Sequence, residues 1–374
     1  MKTSRWGAPI ALTAALGLAG HAARAEGKQE GGARADAAEA PAPPAPPALE
    51  VQEVAYSGSM PKGTTRSHDG KHYYVTNFGQ LDKRSVTIFD AVTLTEVGHI
   101  DLPGVVVESV LSPDGKTLYV SNFRRSSVMF VDLATKKLTR EVKVGRHPKI
   151  LAITRDGKRL FSANWASDDV TEVDVPSGTV TRTLKTGKAP RGMVVTANGT
   201  LYVANFYSKS IDVFRGPEMA DHHRIPACNN PRHLALSPKE KTLYITCLNA
   251  SELHAMDIAS EKVTHTAPVG KAPKSVSVSR DGRYAYTADY GTSRSISVVD
   301  TKTWTSRTFP VPGMDRGSGV AVAPDGKSAL VTGWYDGHVY LVGFEGTGGH
   351  PGAALRYIRR WRYSPHHPDP GDGS

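Results

Sequence analysis

The chain has 374 residues, a formal net charge of +10, and 36 glycines and 25 prolines but two cysteines. Glycine and proline interrupt the sequence throughout, and no long segment shows a 3.6-residue apolar period, which excludes a helical-repeat protein. There is no Cys-x-x-Cys-His motif, which excludes covalently attached c-type haem. The basic charge favours anionic partners, whereas no nucleic-acid recognition module is present and nucleic acid is not an expected partner.

The first 25 residues are predicted to be a secretory signal peptide. Lys2 and Arg5 precede an apolar core at 8–19, and Ala23-Arg24-Ala25 supplies an A-x-A cleavage site. The core is shorter than the ~20 residues that span a bilayer, and no later segment of the sequence approaches that length. Removal of Lys2, Arg5 and Arg24 lowers the net charge from +10 to +7. The mature protein is expected in the periplasm or outside the cell, as a monomer.

Residues 26–48 are predicted to be a linker. They are rich in Ala, Gly and Pro and end in PAPPAPPA, a composition that buries too little apolar area to offset the entropy of ordering. Two interpretations remain open. The segment is either a spacer that holds the following domain away from a wall or membrane, or a disordered lead-in with no further role.

Residues 49–344 contain an internal repeat. Tyr74-Val75-Thr76-Asn77 is followed by Phe78, and the phrase returns about every 42 residues. Its later forms are LYVSNF at 118–123, LFSANW at 160–165, LYVANF at 201–206, LYITCL at 243–248, YTADY at 286–290 and LVTGW at 330–334. A period of this size indicates units that bury their apolar faces against their neighbours.

Each repeat carries further turn signals. A polar turn, usually Asp-Gly or Asn-Gly, precedes the phrase, and successive turns are 41 to 45 residues apart. Glycine there accepts the positive φ that a hairpin needs. In five repeats the next apolar run ends in an Asp with Ser or Thr three residues later, which predicts a side-chain-bonded turn. These residues are Asp90, Asp132, Asp174, Asp257 and Asp300.

The markers predict an all-β fold, a seven-bladed β-propeller with four short antiparallel strands in each blade. Seven hairpin turns imply seven blades, but the last repeat supplies three apolar runs before Phe344. The stretch Val51–Ser57 aligns with the fourth run of other repeats. We therefore expect the N-terminal strand to complete the last blade and to close the ring without an open edge.

The chain resembles the YVTN family of seven-bladed propellers, named for the phrase at 74–77, over roughly residues 49–344. The resemblance implies a bacterial or archaeal protein that is exported or lies on the cell surface. It also suggests wider relatives, the sugar lactonases and the haem d1-binding propellers of nitrite reductases. Neither relation rests on matched catalytic residues, and no catalytic residue, metal site or cofactor is assigned from it.

The phrase itself is interpreted as structural. Asn tolerates left-handed backbone angles and bonds the turn that follows a strand. This role is expected for Asn77, Asn122, Asn164 and Asn205.

Cys228 and Cys247 both fall in the fifth repeat, where Cys247 replaces the motif Asn and Cys228 stands where other repeats have Gly. These positions lie at the same end of adjacent strands, and an exported protein meets oxidising conditions. A disulfide would stabilise the fold by roughly 3 kcal/mol in the chain-entropy model. The alternative is a pair of free buried thiols.

Two sets of side chains are predicted to meet on one face, at the mouth of the central channel. Five repeats place a base after Pro where the first run begins, and six place an aromatic where the second run ends. The bases are Lys62, Lys149, Arg191, Arg232 and Lys274, and the aromatics are Phe78, Phe123, Trp165, Phe206, Tyr290 and Trp334. Val107, Ser318 and Leu248 interrupt the two series. Such a face suits anionic sugars, phosphorylated ligands or acidic peptides; alternatively, duplicated units have inherited packing residues.

A few other residues invite chemical hypotheses. His147 and His233 map near the channel mouth, and Glu108 enters the first run of the second repeat, where it is a candidate acid/base beside His233. The tail at 345–374 contains Leu355–Tyr363 with four arginines. Three alternatives stay open for this segment. It either lies on an anionic membrane surface, binds a partner, or packs against a blade as an extra strand.

The sequence therefore predicts a non-catalytic, exported binding or scaffold propeller whose partner is an anionic polysaccharide or other envelope component, or a protein. The alternatives are a lactonase-type hydrolase with its site at the channel mouth and, behind it, a haem d1-like propeller.

Overall fold

The computed structural model describes residues 42–79 and 82–347. These residues form 28 strands in seven four-stranded sheets. The predicted signal peptide, most of the predicted linker and nearly all of the C-terminal tail lie outside the described residues. Within the described part no helix is long and apolar enough to cross a membrane.

The sheets are numbered as blades one to seven in chain order. The first strand is β1 (Leu49–Tyr56). Blade one contains β2 (Pro61–Arg66), β3 (His72–Asn77), β4 (Val86–Asp90) and β5 (Glu96–Ile100). Blade two contains β6 (Val106–Leu111), β7 (Thr117–Asn122), β8 (Ser127–Asp132) and β9 (Lys137–Lys143). Blade three contains β10 (Pro148–Ile153), β11 (Arg159–Asn164), β12 (Asp169–Asp174) and β13 (Thr179–Lys185).

The remaining blades repeat the same order. Blades four to seven contain β14 (Pro190–Val195), β15 (Leu201–Asn205), β16 (Ser210–Arg215) and β17 (Asp221–Pro226); β18 (Pro231–Leu236), β19 (Thr242–Cys247), β20 (Glu252–Asp257) and β21 (Lys262–Pro268); β22 (Pro273–Val278), β23 (Tyr284–Asp289), β24 (Ser295–Asp300) and β25 (Ser306–Pro310); and β26 (Gly317–Val322), β27 (Ser328–Gly333) and β28 (His338–Phe344) with β1.

The predicted fold and its closure are confirmed. Strand β1 pairs antiparallel with β28, from Leu49 opposite Phe344 to Tyr56 opposite His338. The first strand of the domain is therefore the outer strand of the last blade. The two ends of the domain are held together by main-chain hydrogen bonds, so β1 covers the edge that β28 would otherwise leave unpaired.

The turn signals act as their chemistry predicts. The hairpin glycines have positive φ, for example 77° at Gly70 and 71° at Gly115. The Asp90 carboxylate accepts hydrogen bonds from the backbone N–H and the hydroxyl of Thr93, at 2.8 and 3.0 Å. The same Asp turn recurs at Asp132, Asp174 and Asp257.

The apolar core lies between neighbouring blades. One cluster joins Tyr73 and Phe89 of blade one to Leu330 and Val339 of blade seven, across the closure. Three tyrosines are among the largest fully buried side chains; two of them belong to the phrase that defines the repeat, and the third directly precedes it in blade one. They are Tyr73, Tyr202 and Tyr286. The repeated aromatic-apolar pair is thus blade packing, as propeller units require.

The motif asparagines keep one part of the predicted role, since the Arg125 N–H in the turn after β7 donates to Asn122 Oδ1 at 3.2 Å. None of the four has a positive φ, so the prediction of a left-handed backbone was wrong. Each ends its strand with an extended backbone and acts through its side chain. The Asn164 amide donates to Asp169 Oδ1 at 2.8 Å and to Thr171 Oγ1 at 2.9 Å. The motif residue therefore ties the end of the second strand to the third.

Blade six has an acid at this position. Asp289 is fully buried and accepts hydroxyl hydrogen bonds from Thr287, Ser295 and Ser297 at 2.8 to 2.9 Å. Burial raises the pKa of its carboxyl to about 7, although these hydrogen bonds oppose the shift. The sequence pattern showed that Asp replaces Asn here, but not that burial raises the pKa of the Asp carboxyl.

We predict that Asp289→Asn stabilises the fold at high pH. A folded-state pKa raised above the unfolded value gives stability that is fully present below the unfolded pKa of about 4 and is lost as pH rises through about 7. The variant should gain a few kcal/mol in free energy of unfolding at pH 8 and differ little at pH 4. Denaturation curves at both pH values test this, and an equal effect at both would contradict it.

Candidate functional site

The first strand of every blade lines the central channel. Each inner strand contacts the inner strand of the next blade, and β26 contacts β2 to complete the circle. The five bases share one position, the second residue of their strands. Val107 and Ser318 occupy the same position in blades two and seven. The structure thus places the five bases at equivalent points around the channel mouth.

A β-bulge occurs at this position in all seven blades. In blade one, Pro61 lies opposite Asn77 and the next paired residue is Thr64, so the ladder skips Lys62 and Gly63. The other six inner strands show the same shift just after their first residue. A bulge bends the strand and redirects its side chains. The sequence alternation gave no sign of this extra residue.

The backbone next to the bulge brings the aromatic residues beside the bases. The residue before each inner-strand proline has a left-handed φ, for example 56° at Met60 and 54° at His147. Its carbonyl accepts the N–H of the aromatic that directly follows the second strand, from Phe78 to Met60 at 2.9 Å and from Trp165 to His147 at 3.1 Å. Leu248 makes the same bond to Asn230 in blade five at 3.0 Å. The aromatic position is therefore fixed by the main chain.

Four of the bases lie over rings of these aromatics, namely Lys62, Lys149, Arg191 and Lys274. We call this set of five bases and six aromatics the cation–aromatic belt. Lys62 Nζ is 4.9 Å and Lys274 Nζ 4.4 Å from the ring centre of Trp334. Arg191 lies over both Trp165 and Phe206, at 5.4 and 4.4 Å. The other contacts are Lys149 to Phe123 and Trp165 at 4.6 and 5.2 Å, and Lys274 to Tyr290 at 3.8 Å.

The belt is densely packed. The five bases are 2 to 5% exposed, and Phe78 lies between Phe123 and Trp334 with ring centres 5.7 and 5.4 Å away. The His147 ring stacks on Phe123 at 4.1 Å. Trp165 and Tyr290 keep partial exposure. The belt is thus a preformed structure and not a set of mobile surface side chains.

Glu108 is the carboxylate within this basic environment. It follows Val107 in β6 and keeps some accessible surface, although protein surrounds the carboxylate. Burial raises the pKa of Glu108, and the charges of Lys62, Arg232, Lys274 and Lys149 oppose that shift. The sequence predicts Glu108 as a candidate acid/base beside His233, but not the four basic charges around it.

Gly63 makes room for the Glu108 carboxylate. A Cβ at position 63 would lie 2.0 Å from Glu108 Oε2 and 2.8 Å from Thr76 Oγ1. Thr76 Oγ1 in turn accepts the Gly63 N–H at 2.9 Å. Any side chain at Gly63 would therefore displace the carboxylate from the middle of the basic environment.

His233 is neutral at physiological pH. Burial, followed by the charge of Arg232, lowers the pKa of its ring to about 4. Its Nδ1 accepts the backbone N–H of Val276 at 3.4 Å, which leaves the proton on Nε2. The residue is thus a neutral hydrogen-bond donor on an inner strand, next to the base of blade five.

The two cysteines lie next to the channel mouth, in blade five. Cys228 and Cys247 are joined by a disulfide with a Cα–Cα distance of 5.7 Å. Cys247 is fully buried at the end of β19, and Cys228 precedes β18 and is partly exposed.

These features define an all-β, disulfide-bonded seven-bladed propeller with a basic, aromatic channel mouth. Residues 104–304 match the model of the YNCE-like beta-propeller family. Because the match covers more than half of the chain, the chain belongs to that family, and the resemblance found from the repeat is confirmed at the level of the propeller family.

The chain is also similar to individual proteins. It is 23% identical over 279 residues to antigen Lp49 of Leptospira interrogans, covering 69% of this chain and 52% of that protein. It spans about half the length of that relative. A 54-residue stretch is 48% identical to hydrazine synthase subunit beta of Kuenenia stuttgartiensis, covering 14% of each chain. A solved structure of Kuenenia stuttgartiensis hydrazine synthase aligns with a TM-score of 0.68 and 20% identity, over 78% of this chain and 96% of that one. This structural likeness shows the fold.

Proposed function

We propose that the protein is an exported, non-catalytic binding propeller that holds an anionic envelope ligand at the cation–aromatic belt. The observation that supports the proposal is the cation–aromatic belt, in which bases at equivalent bulge positions lie beside aromatics around one channel mouth. Export rests on the predicted signal peptide and agrees with the description of one relative as an antigen.

The charge of the inner strands supports an anionic ligand. The starts of the inner strands carry five bases, and Glu108 is the one acidic residue on the seven strands, all of which are described. A concave site with an excess of one charge and low-dielectric walls concentrates counter-charged ligands. The belt therefore attracts carboxylate or phosphate groups to the channel mouth.

The burial of the bases favours a slender ligand. Because they are 2 to 5% exposed, a flat protein surface would leave them out of reach, whereas a single charged group on a chain can enter the mouth. The partly exposed rings of Trp165 and Tyr290 then offer apolar faces to a sugar ring. An acidic polysaccharide supplies both a carboxylate and such a ring.

We predict that charge reversal in the belt abolishes retention on an acidic polysaccharide. Mature protein should bind immobilised polygalacturonate, and Arg191→Glu with Arg232→Glu should reduce the bound fraction at least tenfold, because two attractive charges become repulsive. The matched control is Lys137→Glu with Lys262→Glu, which changes the net charge equally on exposed outer strands.

A second pair of variants guards against misfolding. Arg191→Gln with Arg232→Gln removes the charges without adding buried acids, and circular dichroism monitors the fold of every variant. Retention that is the same for wild type, belt variants and outer-strand variants would contradict the proposal. Equal losses in the belt and outer-strand variants would show that net charge alone causes binding, which also contradicts it.

A lactonase-type hydrolase is the second candidate function, favoured by the raised pKa of Glu108 and the neutral His233 on inner strands. A carboxyl of raised pKa is suited to proton transfer near neutral pH. Lactone hydrolysis that is lost in both Glu108→Gln and His233→Ala would support this function over simple binding.

A further inference from the structure

The disulfide of blade five lies at a position where blades three, four and six have a recurring polar contact. In blade three, the Gly145 N–H and the Asn164 amide both donate to Thr171 Oγ1, at 3.2 and 2.9 Å. In blade four, the Gly187 N–H and the Asn205 amide both donate to Asp212 Oδ2, each at 2.8 Å. We call this three-residue contact the blade node.

Blade six keeps the same node. The Gly270 N–H donates to Ser297 Oγ at 2.9 Å, and that hydroxyl donates to Asp289 at 2.8 Å. The node therefore consists of a glycine before the inner strand, an Asn or Asp at the end of the second strand, and a hydroxyl or carboxylate on the third strand.

In blade five all three members of the node are changed together. Cys228 replaces the glycine, Cys247 replaces the Asn, and His254 on β20 replaces the third residue. One ligand atom from each lies within 4.8 Å of the other two, the one such group of metal-binding residue types found within residues 42–79 and 82–347. Packing alone does not require two sulfurs and an imidazole at one point, whereas thiolate and imidazole are the ligand types of Zn²⁺ and Cu⁺.

We propose that reduction of the Cys228–Cys247 disulfide converts the node of blade five into a Cys₂His site for a closed-shell metal ion, Zn²⁺ or Cu⁺. In the oxidised protein the sulfurs are bonded to each other and the site is closed. The reduced pair supplies two thiolates, and His254 supplies the third ligand. The disulfide joins Cys228 to Cys247, whereas the metal joins both cysteines and also His254.

The ligand geometry suits such an ion. Two sulfurs bound to Zn²⁺ at ~2.3 Å in a tetrahedral site lie ~3.8 Å apart, which is also about the contact distance of two non-bonded sulfurs. Reduction alone therefore moves them toward the separation that a metal requires. The imidazole is already in place, because one of its nitrogens lies within the 4.8 Å group.

A second observation supports the role of His254. Its Nε2 contacts Glu252 Oε2 at 2.8 Å. A carboxylate that receives one imidazole N–H fixes the tautomer and leaves the other nitrogen, Nδ1, to the metal, as in many metal sites. The side chain of His254 is 15% exposed and that of Glu252 41%, and Cys228 is partly exposed. An ion and a reductant therefore have a route to the site from the surface.

The conversion needs a dithiol reductant, such as an exported protein of the thioredoxin class. One thiolate of the donor attacks a disulfide sulfur, which forms a mixed disulfide and releases one cysteine as a thiolate. The second donor thiol then attacks the mixed disulfide and releases the other cysteine. Two electrons pass to the protein, the donor becomes a disulfide, and the thiol protons that remain on Cys228 and Cys247 are released when the metal binds.

The test uses Co²⁺ as a spectroscopic probe for the Zn²⁺ site. Mature protein is reduced, freed of reductant without oxygen and titrated with Co²⁺, and Zn²⁺ is then added to displace it. We expect one equivalent to bind with thiolate-to-cobalt charge-transfer absorption, and Zn²⁺ to abolish that absorption. Oxidised protein should give no such bands, and any binding by histidines elsewhere is measured in that sample.

Two variants that copy residues of blade three provide the controls. His254→Thr copies Thr171 and should weaken Co²⁺ binding at least tenfold while leaving the disulfide of the oxidised protein intact. The triple variant Cys228→Gly, Cys247→Asn, His254→Thr copies the whole node of blade three and should fold without binding the probe.

Three results would overturn the proposal. The first is a reduced protein that binds no more Co²⁺ than the triple variant. The second is unchanged affinity and absorption in His254→Thr, which would show that two thiolates act without the imidazole. The third is loss of the near-ultraviolet circular dichroism of the fold on reduction, before any metal is added, because the site requires the strands of blade five to remain in place.

Discussion

A chain that begins at Ser57, without β1, is expected to lose on the order of 5 kcal/mol in free energy of unfolding, a large part of the total stability of an ordinary domain. The reason is the closure. Strand β1 supplies the main-chain partners of β28 along its whole length, each net hydrogen bond contributing about 1 kcal/mol. Leu49, Val51 and Val54 also pack against the core cluster between blades six and seven. The uncovered edge of β28 should in addition promote aggregation.

Chemical denaturation of this truncated protein measures the loss. The control is a deletion of residues 26–41, which shortens the chain before the domain and leaves β1 intact. A synthetic peptide covering residues 47–57 should restore stability to the truncated protein in a concentration-dependent manner. Equal stability of the two deletions, or no effect of the peptide, would contradict the closure by β1.

Trp334→Ala is expected to destabilise the protein by about 3–5 kcal/mol. Trp334 is 2% exposed. Its ring contacts two bases and another aromatic of the belt, with Lys62 and Lys274 at 4.9 and 4.4 Å and Phe78 at 5.4 Å. Truncation leaves a cavity and removes both cation–aromatic contacts, each contributing about 0.5–2 kcal/mol.

The chain itself offers the matched control for Trp334. Blades one, two and four have Phe at the equivalent position, Phe78, Phe123 and Phe206, so Trp334→Phe keeps an aromatic face and should recover most of the lost stability. Denaturation curves of the two variants measure the difference. If Trp334→Phe were as unstable as Trp334→Ala, or if the alanine variant lost less than about 1 kcal/mol, the belt would not be a packed unit.

The fold could be predicted from the sequence because every blade repeats the same local signals. The Asp-Gly turns, the Asp turns such as that of Asp90, and the alternation of apolar residues all depend on neighbours within one blade. The incomplete seventh repeat and the unassigned run at 51–57 together identified the closing strand. Each of these features could be inferred from the order of the residues along the chain, without knowing which distant residues are in contact.

The sequence predicted which face of the propeller carries the candidate site, but not the packing and burial of its side chains. Strand topology is enough to bring Lys62 and Phe78 to the same face. The bulge that skips Lys62 adds a residue without disturbing the apolar pattern, so sequence alternation does not reveal it. The burial of the bases, and their packing on rings of neighbouring blades such as Lys62 on Trp334, depend on contacts between repeats.

Electrostatic features were the least accessible to sequence reasoning. The raised pKa values of Asp289 and Glu108 arise from burial, and for Glu108 the opposing charges come from four other blades. A comparison of the repeats shows that Asp289 replaces Asn, but the direction and size of the shift in its pKa can be derived only when the burial of that position is known. The blade node was also not predicted from the sequence, because its three residues lie on separate segments of the chain and meet only in the folded blade.

Photo-crosslinking can locate the proposed binding of an anionic polysaccharide at the channel mouth. A short oligogalacturonate carrying a photoreactive group is bound to mature protein, irradiated, and the modified peptides are identified by mass spectrometry. We expect adducts on peptides that contain the belt, above all around Trp165 and Tyr290, and their loss in Arg191→Gln with Arg232→Gln. Adducts confined to the outer strands, or an unchanged pattern in the double variant, would contradict it.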